Sequence, residues 1–218
     1  MVLNIVVVGV GGQGILTLSK ILGACAVEAG VKALVAETHG MSQRGGSVIV
    51  HVRVGNDVYA PTVPLHEAHV MVALEMLEGA RYLNYVNPEF SLSIVNDKVL
   101  RPSIPGMKVP EKETILKAIK SHSALTVVVN ASEEAIRLGN PAGANMFMLG
   151  FLVRLLEFLG LPMQDCCTDK LPHPNTDLGK ANTAIFKRGL MEASALLKGV
   201  KEGKVTELPW LKEGLLQN

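Results

Sequence analysis

Near the N-terminus an apolar run, residues 2–8, breaks into Gly9-Val10-Gly11-Gly12-Gln13-Gly14, and a helical pattern begins at once with Ile15. A G-x-G-x-x-G spacing between a strand and a helix suits phosphate chemistry. The first glycine of such a loop permits a tight turn, the second lets a phosphate approach the backbone, and the third lets the helix pack near the strand. The helix N-terminus then points free N–H groups at the anion. Glu37, at the end of the next apolar run, falls where an acid holds a ribose in dinucleotide folds. The same glycines also serve strand–helix packing without any ligand, so the spacing alone leaves both uses open.

A second cluster follows directly. Glu37-Thr38-His39-Gly40-Met41-Ser42-Gln43-Arg44-Gly45-Gly46 concentrates hydrogen-bonding side chains among glycines. Its expected place is the C-terminal end of a parallel strand, the edge where ligands and partners meet open α/β sheets. There Arg44 could fork onto a phosphate or carboxylate. An ordinary solvated loop is the competing reading. Asn140 and Asn145 flank a helix start, where they either cap it or meet a partner.

The remaining reactive types promise less. His51 stands on a strand face, and His66 and His69 are three apart around Glu67 with no third ligand nearby. His173 lies in a Pro-flanked loop, so no metal site is expected. Of the three cysteines, Cys166 and Cys167 are adjacent and do not easily bridge each other, and Cys25 sits on a helix as a small buried hydrophobe. An odd count is a poor disulfide framework, so free thiols and a reducing cytoplasm are expected.

The elements that position these residues read clearly. Strands are expected at 2–8, 31–36, 47–54, 69–74, 91–96 and 125–130, and helices at 15–29, 76–86, 111–121, 131–138 and 144–159. The first strand, helix and second strand form a right-handed βαβ unit. In 47–54, Val48, Val50, Val52 and Val54 share one face, and Ile49, His51 and Arg53 form a wetter one. Residues 98–110 hold three prolines and read as a loop, and 164–176 as irregular. Asp177 caps a last long helix through 197, and Leu208-Pro209-Trp210-Leu211 docks on some surface, this chain's own or a partner's. The alternation predicts an α/β fold: a doubly wound, mostly parallel, Rossmann-like sheet with helices on both faces. One domain is expected over residues 1–198, with 199–218 as a tail.

Composition bounds the function. The 218 residues are 48% hydrophobic, enough for one domain with a substantial core. The net charge of +1 and the 4% aromatic content argue against a nucleic-acid face. The most apolar later segment, 146–161, carries Arg154 and Glu157 and reads as a core helix rather than a membrane span. No signal peptide is evident.

Taken together, GVGGQGILTLSKILGACAVEAG, ETHGMSQRGGSVIVHVRVG and GNPAGANMFMLGFL resemble the small-subunit family of 2-oxoacid:ferredoxin oxidoreductases, the pyruvate/ketoisovalerate oxidoreductase gamma domain, and within it the indolepyruvate branch. The resemblance runs from the first strand to the last helix. It implies a complex that converts a 2-oxoacid, such as indolepyruvate or another aryl pyruvate, with coenzyme A to an acyl-CoA and CO2. The complex would use thiamine diphosphate, Mg and iron–sulfur clusters, and pass electrons to ferredoxin. It further implies a large thiamine and iron–sulfur subunit as partner, no catalytic residue in this chain, and no cofactor held by it alone. In keeping with this, the chain has no Cys-x-x-Cys-x-x-Cys run and no Gly-Asp-Gly segment.

On this resemblance Gly9, Gly11, Gly12, Gln13, Gly14, His39, Ser42, Gln43 and Arg44 face either the partner subunit or the approaching coenzyme A. Two competing readings remain: an NAD(P)-dependent dehydrogenase, and a non-enzymatic protein-binding module using an exposed Leu208-Pro209-Trp210 patch.

Overall fold

A computed structural model describes residues 1–38, 45–100 and 108–216. The chain folds in the order β1 (Leu3–Val10), α1 (Ile15–Glu28), β2 (Ala33–Thr38), β3 (Ser47–Val54), β4 (Val70–Ala73), α2 (Met76–Arg81), β5 (Leu92–Asn96), α3 (Lys112–Ser121), β6 (Leu125–Val129), α4 (Ala131–Arg137), α5 (Ala144–Phe158), α6 (Gln164–Asp169) and α7 (Asp177–Lys201). A single 3-10 turn, Leu83–Tyr85, follows α2. The expected helix over 76–86 is therefore two shorter pieces.

The strands form one six-stranded sheet in the order β2-β3-β1-β4-β5-β6. β1, β4, β5 and β6 run parallel. β1 lies inside the sheet with both faces covered, which is why its sequence is apolar almost without alternation. Helices α1, α4, α5, α6 and α7 contribute to the core on one face. Residues of α2 and α3 build the smaller core on the other. The expected α/β, doubly wound, mostly parallel architecture is present.

β1 and β2 run in the same direction, as a βαβ unit requires, but they are not neighbours, because β3 lies between them and pairs antiparallel with both. The pairing places Leu3 opposite Val54 and Val10 opposite Ser47. Strand direction and partner choice are long-range properties, and the local pattern carries neither. β3 therefore starts at the edge where β1 ends.

The wetter face of β3 is also covered. His51 is buried, its Nδ1 accepts the Val63 N–H at 3.3 Å, and its ring meets Tyr85 edge-on at 5.2 Å between centroids. The segment after β3 folds back over that face and dries it.

On the opposite face α5 and α7 run parallel and nearly touch through their backbones. A Cβ added at Gly150 would come within 3.0 Å of the Phe186 carbonyl carbon, and one at Gly189 within 2.9 Å of that of Phe147. Thr176, not Asp177, caps α7, since its Oγ1 accepts the Gly179 N–H at 3.0 Å. α7 runs on to Lys201, beyond the expected end at 197.

Residues 164–176 are not irregular throughout, since α6 lies within them. There Cys166 forms a disulfide with Cys25 of α1, with Cα atoms 5.7 Å apart, and Cys167 is the free, buried thiol. The expectation of three free cysteines is thus corrected. The sequence hides the bond, because 141 residues separate its ends. A Lys170–Glu28 ion pair at 2.6 Å joins the same two helices.

The tail docks on this chain itself. Leu208, Trp210 and Leu211 are buried, and the Trp210 indole N–H donates to the Phe90 carbonyl at 2.7 Å. That burial removes the exposed patch which the protein-binding reading requires. Among the described residues no helix is long and apolar enough to cross a membrane.

Candidate functional site

The edge of the sheet where the parallel strands end collects most of the candidate residues. β1 ends at Val10 and α1 starts at Ile15, so the glycine run is the whole connection. Gly12 and Gly14 lie at φ 101° and 74°, in the left-handed region that glycine enters without steric penalty. The loop turns tightly, with Gln13 N donating to the Val10 carbonyl at 3.1 Å.

Gln13 faces inward. Its Oε1 accepts the Val10 N–H at 2.7 Å and its Nε2 donates to the Leu74 carbonyl at 3.3 Å. Both ends of the carboxamide are occupied by backbone, so Gln13 shapes the loop. Gly9 leaves room for this fold, since a Cβ there would lie 2.6 Å from Gln13 Oε1.

Asn145 does not cap α5. Gly143 occupies the N-cap of α5, and Asn145 instead donates from Nδ2 to the Gly14 carbonyl at 3.2 Å. It is buried, and it ties the start of α5 to the start of α1 across 131 residues of sequence. Asn140 bonds Asn182 Oδ1 at 2.7 Å and so links the α5 approach to α7.

The root of the second loop lies against the first. Gly11 N donates to the Gly46 carbonyl at 2.8 Å, and Gly45 N donates to the Gly11 carbonyl at 3.3 Å. His39, Ser42, Gln43 and Arg44 lie outside the described residues, between Thr38 and Gly45. Glu37 stands opposite Val50, which on its other side stands opposite Val7. One whole strand therefore separates Glu37 from β1, about 10 Å away at the usual strand spacing. That is too far for the ribose contact of a dinucleotide fold. Lys20 Nζ lies 3.6 Å from its carboxylate.

Beside the glycine loop opens a cavity of about 380 Å3, lined by residues that include Gly11, Gly12, Gly14, Thr17 and Val48. The first-turn N–H groups of a helix have no partner within the helix and carry partial positive charge. Neither α1 nor α5, whose starts meet here, has an acidic residue in its first turn. The α1 start that lines this cavity therefore has no acidic charge of its own to offset its partial positive charge.

On the far side of the seam sits a polar group that the sequence did not single out. The Ser47 hydroxyl donates to the Glu78 carboxylate, and Tyr82 Oη lies 2.8 Å from it. Arg81 Nε lies 3.1 Å from the same carboxylate. Burial pushes the Glu78 carboxyl above the usual carboxylate range, Ser47 and Arg81 pull it back, and nearby Glu75 adds to the rise. The available signal was Glu75-x-x-Glu78 directly after an apolar strand, a spacing in which the first acid can cap the helix. Glu75 Oε2 does accept the Glu78 N–H, at 2.6 Å.

The other histidines stay apart from this edge. His69 Nδ1 accepts the Asn4 N–H at 3.1 Å, and its ring lies 5.6 Å from Phe90 and 5.5 Å from Trp210. Among the described residues no three His, Cys, Asp or Glu side chains are grouped to hold a metal ion.

Comparison with known proteins agrees with the geometry. The family model described as pyruvate ferredoxin/flavodoxin oxidoreductase matches residues 4–192. Indolepyruvate oxidoreductase subunit IorB of Archaeoglobus fulgidus is 45% identical over 154 residues, covering 70% of this chain and 76% of that protein. The protein of the same name from Pyrococcus horikoshii is 39% identical over 159 residues, 71% and 78% of the two chains. Among solved structures, the gamma subunit of a keto/oxoacid ferredoxin oxidoreductase from Geobacter sulfurreducens superposes with a TM-score of 0.64 at 20% identity, over 89% of this chain and 98% of that one. The 2-oxoglutarate:ferredoxin oxidoreductase of Magnetococcus marinus, solved with 2-oxoglutarate, coenzyme A and succinyl-CoA bound, superposes with a TM-score of 0.64 at 18% identity, over 89% of this chain and 31% of that one. With its fold, its glycine seam and close relatives on both counts, the chain belongs to the pyruvate ferredoxin/flavodoxin oxidoreductase family.

Proposed function

We propose that this chain is the small subunit of a thiamine diphosphate- and ferredoxin-dependent 2-oxoacid oxidoreductase acting on indolepyruvate and related aryl pyruvates. A large partner subunit carries thiamine diphosphate, Mg and the iron–sulfur clusters, and passes electrons to ferredoxin. The small subunit presents the glycine seam to coenzyme A, or to the partner that receives it. The substrate reading rests on the names of its relatives.

One observation carries the coenzyme A assignment. The start of α1, free of acidic first-turn residues, lines the 380 Å3 cavity, and Asn145 of α5 fixes the Gly14 backbone beside it. Phosphate groups are the anions that such backbone donors hold best. The Magnetococcus enzyme, similar in fold, was solved with coenzyme A bound. His39, Ser42, Gln43 and Arg44, which lie outside the described residues, are proposed for the same approach on the strength of the sequence alone.

The cysteines do not fit a cluster site. Cys25 and Cys166 bind each other and Cys167 is alone, whereas a four-iron cluster takes four thiolates. The clusters therefore belong to the partner, and no electron-transfer step is assigned to this chain. The nicotinamide reading loses its ribose acid to the inserted β3.

The test is anaerobic co-expression with the large thiamine and iron–sulfur subunit from the same organism. The expected result is a brown complex that reduces ferredoxin only when indolepyruvate and coenzyme A are both present, while the isolated chain is inactive. A colourless chain that binds NAD(P) tightly by itself would overturn the proposal.

A further inference from the structure

Ser47 is the first residue after Gly45 and Gly46 whose side chain can anchor the chain, and it turns toward the α2 face of the sheet. Its hydroxyl is held from two sides, by the Glu78 carboxylate and the Tyr82 phenol. Immediately before it, Gly46 and Gly45 bracket Gly11 with two backbone hydrogen bonds. Two consecutive glycines keep a fixed geometry only if something beyond them is fixed. Within α2 the carboxylate has one partner, the half-exposed Arg81, and its other partner is Ser47 of β3. A buried acid is costly unless its partners compensate, and an apolar residue would fill the space at lower cost.

We infer that Glu78 is a positioning residue for the glycine seam: through Ser47 it sets the distance between the Gly45–Gly46 backbone and Gly11, and so the width of the coenzyme A approach. The inference rests on the function proposed above. Glu78 acts on the seam only through Ser47. The ionisable groups around it are Arg81, Tyr82 and Glu75, the last fixed by the Leu100 N–H at 2.9 Å and by Glu78 N.

Two readouts test it. In the full-length chain, amide hydrogen exchange is followed at Gly11 and Gly45, whose N–H groups make the bracketing bonds. Ser47→Ala is expected to speed exchange at both by about tenfold, the worth of one charge-assisted hydrogen bond. Glu78→Ala does the same, and Glu78→Gln, which keeps an acceptor for the Ser47 hydroxyl, does so less. In the assembled complex, Ser47→Ala and Glu78→Ala raise the KM for coenzyme A by a similar factor, with a smaller change in kcat.

Unchanged exchange at Gly11 and Gly45 in Ser47→Ala overturns the positioning role. That variant removes one oxygen and decides the matter even if Glu78→Ala fails to fold. Faster exchange with an unchanged KM for coenzyme A overturns the link to ligand approach. A wild-type complex whose turnover does not depend on coenzyme A defeats the proposed function instead, and leaves the exchange result to judge the positioning alone.

Discussion

Replacing Gly14 by alanine puts a methyl group where the structure has no room for one. Gly14 lies at φ 74°, and holding an alanine there costs roughly 1–2 kcal/mol. The new Cβ would overlap the Asn145 carboxamide, with Asn145 Cγ only 2.9 Å away. Asn145 is buried and bonded to the Gly14 carbonyl, so it cannot turn aside without losing that bond. A buried amide left unpaired adds about 1–3 kcal/mol. Gly14→Ala should therefore destabilise the chain by about 3 kcal/mol, which for this size lowers the melting temperature by roughly 6–12 °C. Urea denaturation with a double-mutant cycle separates the two terms. Asn145→Ala alone loses the hydrogen bond at about 1 kcal/mol, but it also removes the obstacle. The double variant should thus be more stable than the sum of the singles predicts, by about 1–2 kcal/mol. Strict additivity, or a Gly14→Ala penalty below about 1 kcal/mol, would refute the reasoning.

The Cys25–Cys166 bond closes a loop spanning 141 residues of sequence separation, for which chain entropy gives a ceiling of about 5 kcal/mol. Cys166→Ser, or dithiothreitol on the wild type, should lower the melting temperature by several degrees, whereas Cys167→Ser should not abolish the response to reductant; three titratable thiols in the unreduced, denatured chain would sink this. Burial pushes His69 down to about 4, and His51 is lowered for the same reason. His69 is thus neutral when folded, while the unfolded chain takes up a proton as pH drops below about 6.5. Its contribution is complete above that value and lost from about 6.5 down toward 4, with a slope up to about 1.4 kcal/mol per pH unit. Urea midpoints measured from pH 7 to 4.5 should show this fall, and His69→Asn, which keeps an acceptor for the Asn4 N–H, should flatten it.

The elements were legible because they are local. The apolar run of β1, the valine alternation of β3 and the helix after the glycines each follow from a period within about ten residues. The site was legible in part for the same reason: the glycine spacing announces a turn into a helix start. What escaped depends on contacts between distant segments. The antiparallel seat of β3, the Asn145–Gly14 tie and the disulfide join residues that no window contains together. Gln13 illustrates a different limit. Its type suggests a donor for a ligand, but a side chain's direction is set by which carbonyl lies within reach, here that of Leu74 at the end of β4. α6 was missed because QDCCTD is short and shows no apolar period.

Because β3 runs against its neighbours, the chain leaves β2 and returns into β3 on one and the same rim. Thr38 stands opposite Ile49, and Gly46 is fastened to Gly11, so both ends of the excursion between β2 and β3 hang from fixed pegs. A parallel crossover would have had to carry that segment across the molecule, and any change in its length would have strained the sheet. Here residues can be added or removed between the pegs while every strand keeps its register. Length is thus decoupled from register on this rim, and sequence drift in the connection between β2 and β3 leaves the pairing of the sheet intact.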